Sequence, residues 1–323
     1  MQYRRGAGLI LAAGVIWSAQ GLGIRMIEQA ESWAVLTWRS LGLIVALTAY
    51  ISFVTRGQLW AAVASVGRGG VLGALSLAVA FGGAIYAFQA TTIANAVVLF
   101  AAAPFFAALI GWAALGERVG AVTWAAIALA SFGILVMTWG EFGANAQTEA
   151  LRGNIAAIIT ALGFGAFGVS LRRMPPTMRA DVGQFPVVLL AGIFAGVAGA
   201  GAAVISGQDL TPPVADIGIA MGLGIFVLAG GMVMFTLGTR TVPAAAATLL
   251  AQSEVILGPF WVWLLLGETI SRQTALGGMI VLSALALNIS LRHGAKHPKT
   301  GASEISRAAL RFWQIFSVYP QNG

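Results

Sequence analysis

One membrane-spanning pattern occurs twice in this chain, and that repetition restricts the fold more than any other feature. Residues 94–117 read ANAVVLFAAAPFFAALIGWAALGE and residues 245–268 read AAATLLAQSEVILGPFWVWLLLGE. Gly116-Glu117 and Gly267-Glu268 thus close two apolar runs 151 positions apart, and a further apolar run follows each. The earlier parts of the two copies agree at a spacing of 147, with Trp17/Phe164, Ala19/Ala166, Gly21/Gly168 and Arg25/Arg172 in register. A four-residue insertion reconciles the two spacings.

A span needs about 20 apolar residues to cross the hydrocarbon layer. Ten such stretches are expected, at 7–25, 33–54, 70–90, 93–115, 120–139, 152–172, 183–206, 216–238, 242–266 and 273–291. The expected fold is therefore an all-α polytopic membrane protein of ten transmembrane helices in two five-helix repeats. Because five is odd, the second repeat enters the membrane inverted relative to the first. The boundaries read as 1–140 for the first repeat, 141–151 for an external linker, 152–291 for the second repeat and 292–323 for a basic tail. The apolar run after Met1–Arg5 continues to about Ile24, too long for a signal-peptide core, and reads as the first span.

Composition excludes most other classes. The chain is 59% hydrophobic and 9% charged, whereas a soluble domain carries roughly a quarter charged residues. It has no cysteine, and its two histidines, His293 and His297, lie in the tail. Disulfides, thiolate metal sites and histidine chemistry inside the membrane are thereby excluded, and neither a metal nor a cofactor is expected. The net charge of +7 punctuates apolar spans and forms no basic stripe, which points to a bilayer and away from nucleic acid. Fourteen of the 18 Lys and Arg residues fall on one side of the expected topology, and only Arg25, Arg152 and Arg272 on the other. This asymmetry puts both termini in the cytoplasm. The tail segment ISRAALRFWQIF has apolar positions at near-helical spacing, suited to the anionic leaflet.

Charge inside a span marks function or a buried partner. Two residues qualify: Arg39 in the second span and Glu254 in the ninth. Three readings of Glu254 stand side by side: a structural pair with Arg39 or another donor, a contact to a cationic or amino group of a substrate, and proton coupling. Arg39 either works internally or snorkels to the interface. Trp17, Gln20, Tyr86, Gln89, Asn95, Phe164, Phe167, Gln252 and Ser253 are further candidates to line a cavity, with interhelical bonding as the competing use of the polar ones. Pro104 and Pro259 are expected to bend their helices, as gates or as fixed kinks. Gly192/Gly196 and Gly218/Gly222 read as close-packing pairs, and Trp33, Trp38, Trp60, Trp139 and Trp261 as interface anchors. This polarity suits a small organic solute better than an inorganic ion.

The two Gly-Glu helices, with WSAQGLGIR in the first span and WRSLGLIVAL in the second, resemble the drug/metabolite transporter superfamily, specifically its EamA-type permeases. The resemblance covers about residues 7–291 and puts Trp17, Arg39, Pro104, Glu117, Glu254 and Glu268 at family-typical places. Members often carry Glu-Pro in the ninth helix, where here Val255 follows Glu254. The resemblance implies transport of small metabolites such as amino acids, often as efflux. The expected function is secondary transport by alternating access across a bacterial inner membrane, with protons as a candidate coupling ion and no enzymatic activity. The alternatives are an intramembrane enzyme on a lipid or isoprenoid substrate, which lacks an Asp-rich metal pair and a base for Ser18 or Ser253, and a non-transporting receptor or assembly partner. A reporter fused after Gly323 should read out as cytoplasmic; a periplasmic signal would overturn the ten-span topology.

Overall fold

The computed structural model describes residues 2–139, 148–172, 182–242, 247, 250, 251 and 253–294. The segment 141–147 of the expected linker, Gln252 and the tail from 295 lie outside the described residues. All regular structure among the described residues is helical, as it must be where no water can pair a backbone amide.

The elements in order are α1 (Gln2–Arg25), α2 (Ser32–Val54), α3 (Leu59–Ala64), α4 (Gly67–Ala90), α5 (Ile93–Phe100), α6 (Ala103–Leu115), α7 (Ala121–Thr138), α8 (Thr148–Leu171), α9 (Phe185–Ser206) and α10 (Val214–Gly222). A π-helical stretch, Leu223–Gly230, joins α10 to α11 (Gly231–Thr239), and α12 (Ser253–Leu266) and α13 (Arg272–Gly294) follow. Among the described residues, seven spans are long and apolar enough to cross a membrane, while Ala121–Met137 and Ser253–Leu266 are shorter apolar helices. The short helix α3 was not expected from sequence. It carries Trp60, 80% exposed, on a turn between α2 and α4.

The strongest packing partners are α4 with α8, α7 with α13, and α2 with α9. Small residues set these crossings, because helices in lipid gain stability by close van der Waals contact and not by expelling water. Gly133 and Gly277 face one another, each within 3 Å of the other's carbonyl oxygen for an added Cβ. Gly192 and Gly196 lie against Leu43 and Ser40 of α2, the role their spacing predicted. Gly218 and Gly222 do not repeat it: a Cβ at either would meet nothing within 4 Å. The close approach to α2 falls instead on Gly224, in the π-helical stretch, whose added Cβ would sit 2.0 Å from the Arg39 carbonyl oxygen and 2.7 Å from the Leu43 nitrogen. A helix widened to π geometry advances its register, and here that brings a glycine onto α2 beside Arg39.

Two proline expectations resolve differently. Pro259 is inside α12. Pro104 does not bend a continuous helix. The fourth span breaks at Ala101–Ala102, and Pro104 occupies the first turn of the new helix α6. A missing N–H costs nothing there, since the first-turn donors have no intrahelical acceptor. Among the tryptophans, Trp60 and Trp139 are exposed in the manner of interface anchors, but Trp261 is not one. Its indole N–H donates to Ser18 Oγ at 2.9 Å, tying α12 to α1.

Substituting Gly224→Ala should lower unfolding stability by about 1–3 kcal/mol, the usual range for overpacking. Gly218→Ala should leave it unchanged, and thermal melts in detergent of the two variants beside wild type measure the contrast.

Candidate functional site

Arg39 lies about two turns into α2 and is 1% exposed. Its Nη2 donates to the Phe81 carbonyl at 3.2 Å, and its guanidinium carbon is 5.2 Å from the centroid of the Phe81 ring. That leaves Nε and Nη1 without a hydrogen-bond partner among the described residues. No carboxylate pairs with it there either; the ion pairs join other residues. The snorkelling reading of Arg39 is therefore corrected: the side chain is held in the interior by α4 and does not reach an interface.

Arg39 borders a cavity of about 340 Å³ that helices from both copies of the repeat enclose. Trp17, Ser18 and Gln20 of α1 form one wall. Phe81 and Phe88 of α4, with Phe100 and Pro104 at the α5–α6 break, form another. Phe164 and Phe167 come from α8, Met232 and Phe235 from α11, and Glu254 from α12. Among the described residues, Arg39 and Glu254 are the two ionisable ones on this lining, and no ion pair joins them. The break at Ala101–Ala102 is thus at cavity depth, where irregular backbone is tolerated because it faces protein or water and not lipid.

Of the residues singled out in the sequence, Trp17, Gln20, Arg39, Pro104, Phe164, Phe167 and Glu254 line this cavity. Four others have different surroundings. Asn95 is buried at a junction of helices: it accepts from Thr274 Oγ1 at 2.6 Å and donates to Thr91 Oγ1 at 3.4 Å, while Thr91 donates to Asn154 Oδ1 at 2.9 Å. Gln89 accepts from Ser32 Oγ and donates to the Ala30 carbonyl. Tyr86 packs against the main core cluster. Ser253 sits against α1 at Gly14. For Asn95 and Gln89, interhelical pairing has consumed the polarity that suggested a cavity. Pro259 lies apart, bordering a crevice with Ile93 and Glu268.

Sequence reasoning missed Gln184, Phe81, Phe88 and Phe235. The aromatic face of α4 was readable in principle, since Leu77, Phe81, Ala84 and Phe88 recur at helical spacing. Gln184 was less so: it precedes α9, and its amide donates to Thr236 Oγ1 and to Met232 Sδ, both at 3.3 Å.

The two Gly-Glu ends are held by arginines from opposite copies of the repeat. Arg25, at the end of α1, pairs with Glu268 after α12 at 3.4 Å. Arg172, after α8, pairs with Glu117 after α6 at 2.6 Å. The residues that correspond by sequence register, Arg25 with Arg172 and Glu117 with Glu268, therefore pair reciprocally. Arg25 also donates to the Thr91 carbonyl at 2.8 Å, and Glu268 accepts from the Ile93 amide at 2.9 Å. Near this end Asp216 receives the amides of Gln29 and Ala30 at 2.8 Å each and of Glu28 at 3.4 Å. Asp216 thereby ties the α1–α2 turn to α10.

The model of the EamA-like transporter family matches residues 4–139 and again 151–290. Comparison with curated proteins gives no match. A solved structure described as "Crystal structure of protein" superimposes with a TM-score of 0.58 at 17% identity, covering 90% of this chain and 99% of the other. At that identity the likeness concerns the fold alone.

Replacing Asp216 by Ala orphans the turn amides and should cost about 1–3 kcal/mol. Detergent-phase unfolding would detect it as a lower melting temperature, and an unchanged melt would show that the α1–α2 turn holds without this carboxylate.

Proposed function

The chain belongs to the EamA-like transporter family, and from that premise we propose a secondary transporter that moves a small organic metabolite across the bacterial inner membrane. The solute is an amino acid or a related compound, and the direction is efflux or exchange. The observation that carries this reading is the 340 Å³ cavity enclosed by both copies of the repeat, its wall mainly aromatic and aliphatic with Arg39 and Glu254 as its ionisable groups. Solute sites of this size are concave and largely apolar, with a few polar groups fixing orientation.

The double match to one family supports two related halves, read here as residues 1–140 and 152–291 in inverted orientation around the cavity. Reciprocal ion pairs are what such a symmetry produces: Arg25–Glu268 closes one end, Arg172–Glu117 the other, and alternating access loosens them in turn. The Lys/Arg asymmetry assigns the Arg25–Glu268 end to the outside and both termini to the cytoplasm. Glu254 is the group on this wall suited to carry a coupling proton or to receive a substrate amine. An intramembrane hydrolase has less support. Ser18 donates to the Val15 carbonyl at 2.6 Å and accepts from Trp261, so its hydroxyl is already engaged on both counts.

Counterflow in proteoliposomes with labelled amino acids and small metabolites tests the proposal. Wild type should accumulate one solute class, Glu254→Gln should lose at least about tenfold of that rate, equivalent to about 1.4 kcal/mol, and Glu117→Gln should lose less. Equal rates for wild type and Glu254→Gln would remove this carboxyl from the mechanism.

A further inference from the structure

We propose that Arg39 is the anchor for a carboxylate on the transported solute, so that the cavity selects small organic acids and zwitterions with an apolar or aromatic body. This rests on the transporter reading and adds the chemical class of the substrate to it.

A guanidinium has five N–H donors in a rigid fork. In Arg39 one nitrogen is occupied by the Phe81 carbonyl, while Nε and Nη1 have no acceptor among the described residues although the side chain is buried. A buried cation with unmet donors is expensive unless an anion meets it. Among the described residues no carboxylate supplies that anion, since Glu254 lines the same cavity without forming an ion pair to Arg39. Nη2 keeps a second hydrogen beside the one given to Phe81, so one of the two carboxylate-matching edges of the guanidinium, Nε with Nη2 or Nη1 with Nη2, stays open to two parallel bonds.

The charge count narrows the class. Among the described residues, Arg39 is the one basic residue on the lining and Glu254 the one acid. A dianionic phosphate would add a second negative charge beside Glu254 with no second cation to meet it. A carboxylate matches Arg39 singly, and an amine on the same solute faces Glu254. The rest of the wall, Trp17, Phe88, Phe100, Phe164 and Phe235 among others, offers ring faces and edges to an apolar body. The Phe81 ring makes a cation–π contact with the guanidinium, whose carbon is 5.2 Å from its centroid, and the Phe81 carbonyl takes one hydrogen, so both help fix the fork.

Purified full-length protein in detergent can be melted with five probes that share a phenyl ring and differ in headgroup: 3-phenylpropionate, phenylalanine, phenethylamine, 3-phenylpropan-1-ol and phenyl phosphate. The two carboxylates should raise the melting temperature saturably, and the other three should not. Arg39→Gln should weaken carboxylate binding at least tenfold, and Arg39→Lys by less, because an ammonium keeps the charge and loses the fork. Without ligand, Arg39→Gln should melt no lower than wild type, since it removes an unpaired buried charge; a structural arginine would lower it. Stabilisation by the amine, alcohol or phosphate in preference to the carboxylates, no response to any carboxylate, or equal carboxylate binding by wild type and Arg39→Gln would overturn the assignment. Counterflow with the same labelled probes keeps the two readings apart. Carboxylate-dependent stabilisation without flux removes transport and leaves the anchor, whereas flux indifferent to headgroup and to Arg39 removes the anchor and leaves transport.

Discussion

Inside a bilayer no water is at hand to pair a backbone amide or to solvate a charge, so each polar group must find its partner within the protein. The helices follow from this, and so does the economy with which charge is used. Arg25, Arg172, Glu117 and Glu268 sit at helix ends, where they pair across the two copies of the repeat. Asn95, Thr91, Asn154 and Thr274 are buried and satisfy one another. Against that background Arg39 is a buried cation with two nitrogens unpaired among the described residues, and it borders the cavity. The proposed substrate class grows from this cation, as the proposed function does from the cavity beside it.

Much of the architecture was legible because its signals are strong and local. Long apolar runs mark spans, and the spacing of 151 between Glu117 and Glu268 marks the repeat. Arg39 and Glu254 could be found by asking which charges fall inside apolar runs, and both line the cavity. Counting could not tell which polar residues would spend their hydrogen bonds on neighbouring helices. Asn95 and Gln20 look alike in sequence, yet Asn95 meets Thr274 while Gln20 borders the cavity. That difference is fixed by helix rotation and crossing, and these depend on contacts such as Gly224 on α2 that carry no local signature. Pro104 shows the same limit in another form. A proline in an apolar run predicts disrupted hydrogen bonding, but only the tertiary setting decides between a bend and a fresh helix start.

The reciprocal ion pairs connect the repeat to a mechanism. An arginine at the end of the first span of each copy meets a glutamate at the end of the fourth span of the other. Each pair joins the halves at one end of the molecule, and neither is deeply buried, so opening one costs little compared with breaking a buried pair. A carrier that opens its two ends alternately needs closures of this modest strength, together with a central site whose occupancy biases the exchange.

That exchange is the central claim, and the chain suits its direct measurement because it contains no native cysteine. Spin-label pairs introduced on α1 and α12 near Arg25 and Glu268, and separately on α6 and α8 near Glu117 and Arg172, report the width of each end in proteoliposomes. The account predicts two distances at each end, with the short distance at one end accompanying the long distance at the other, and populations that shift when a bound carboxylate solute is added. A single unchanging distance at both ends, with and without solute, would contradict it.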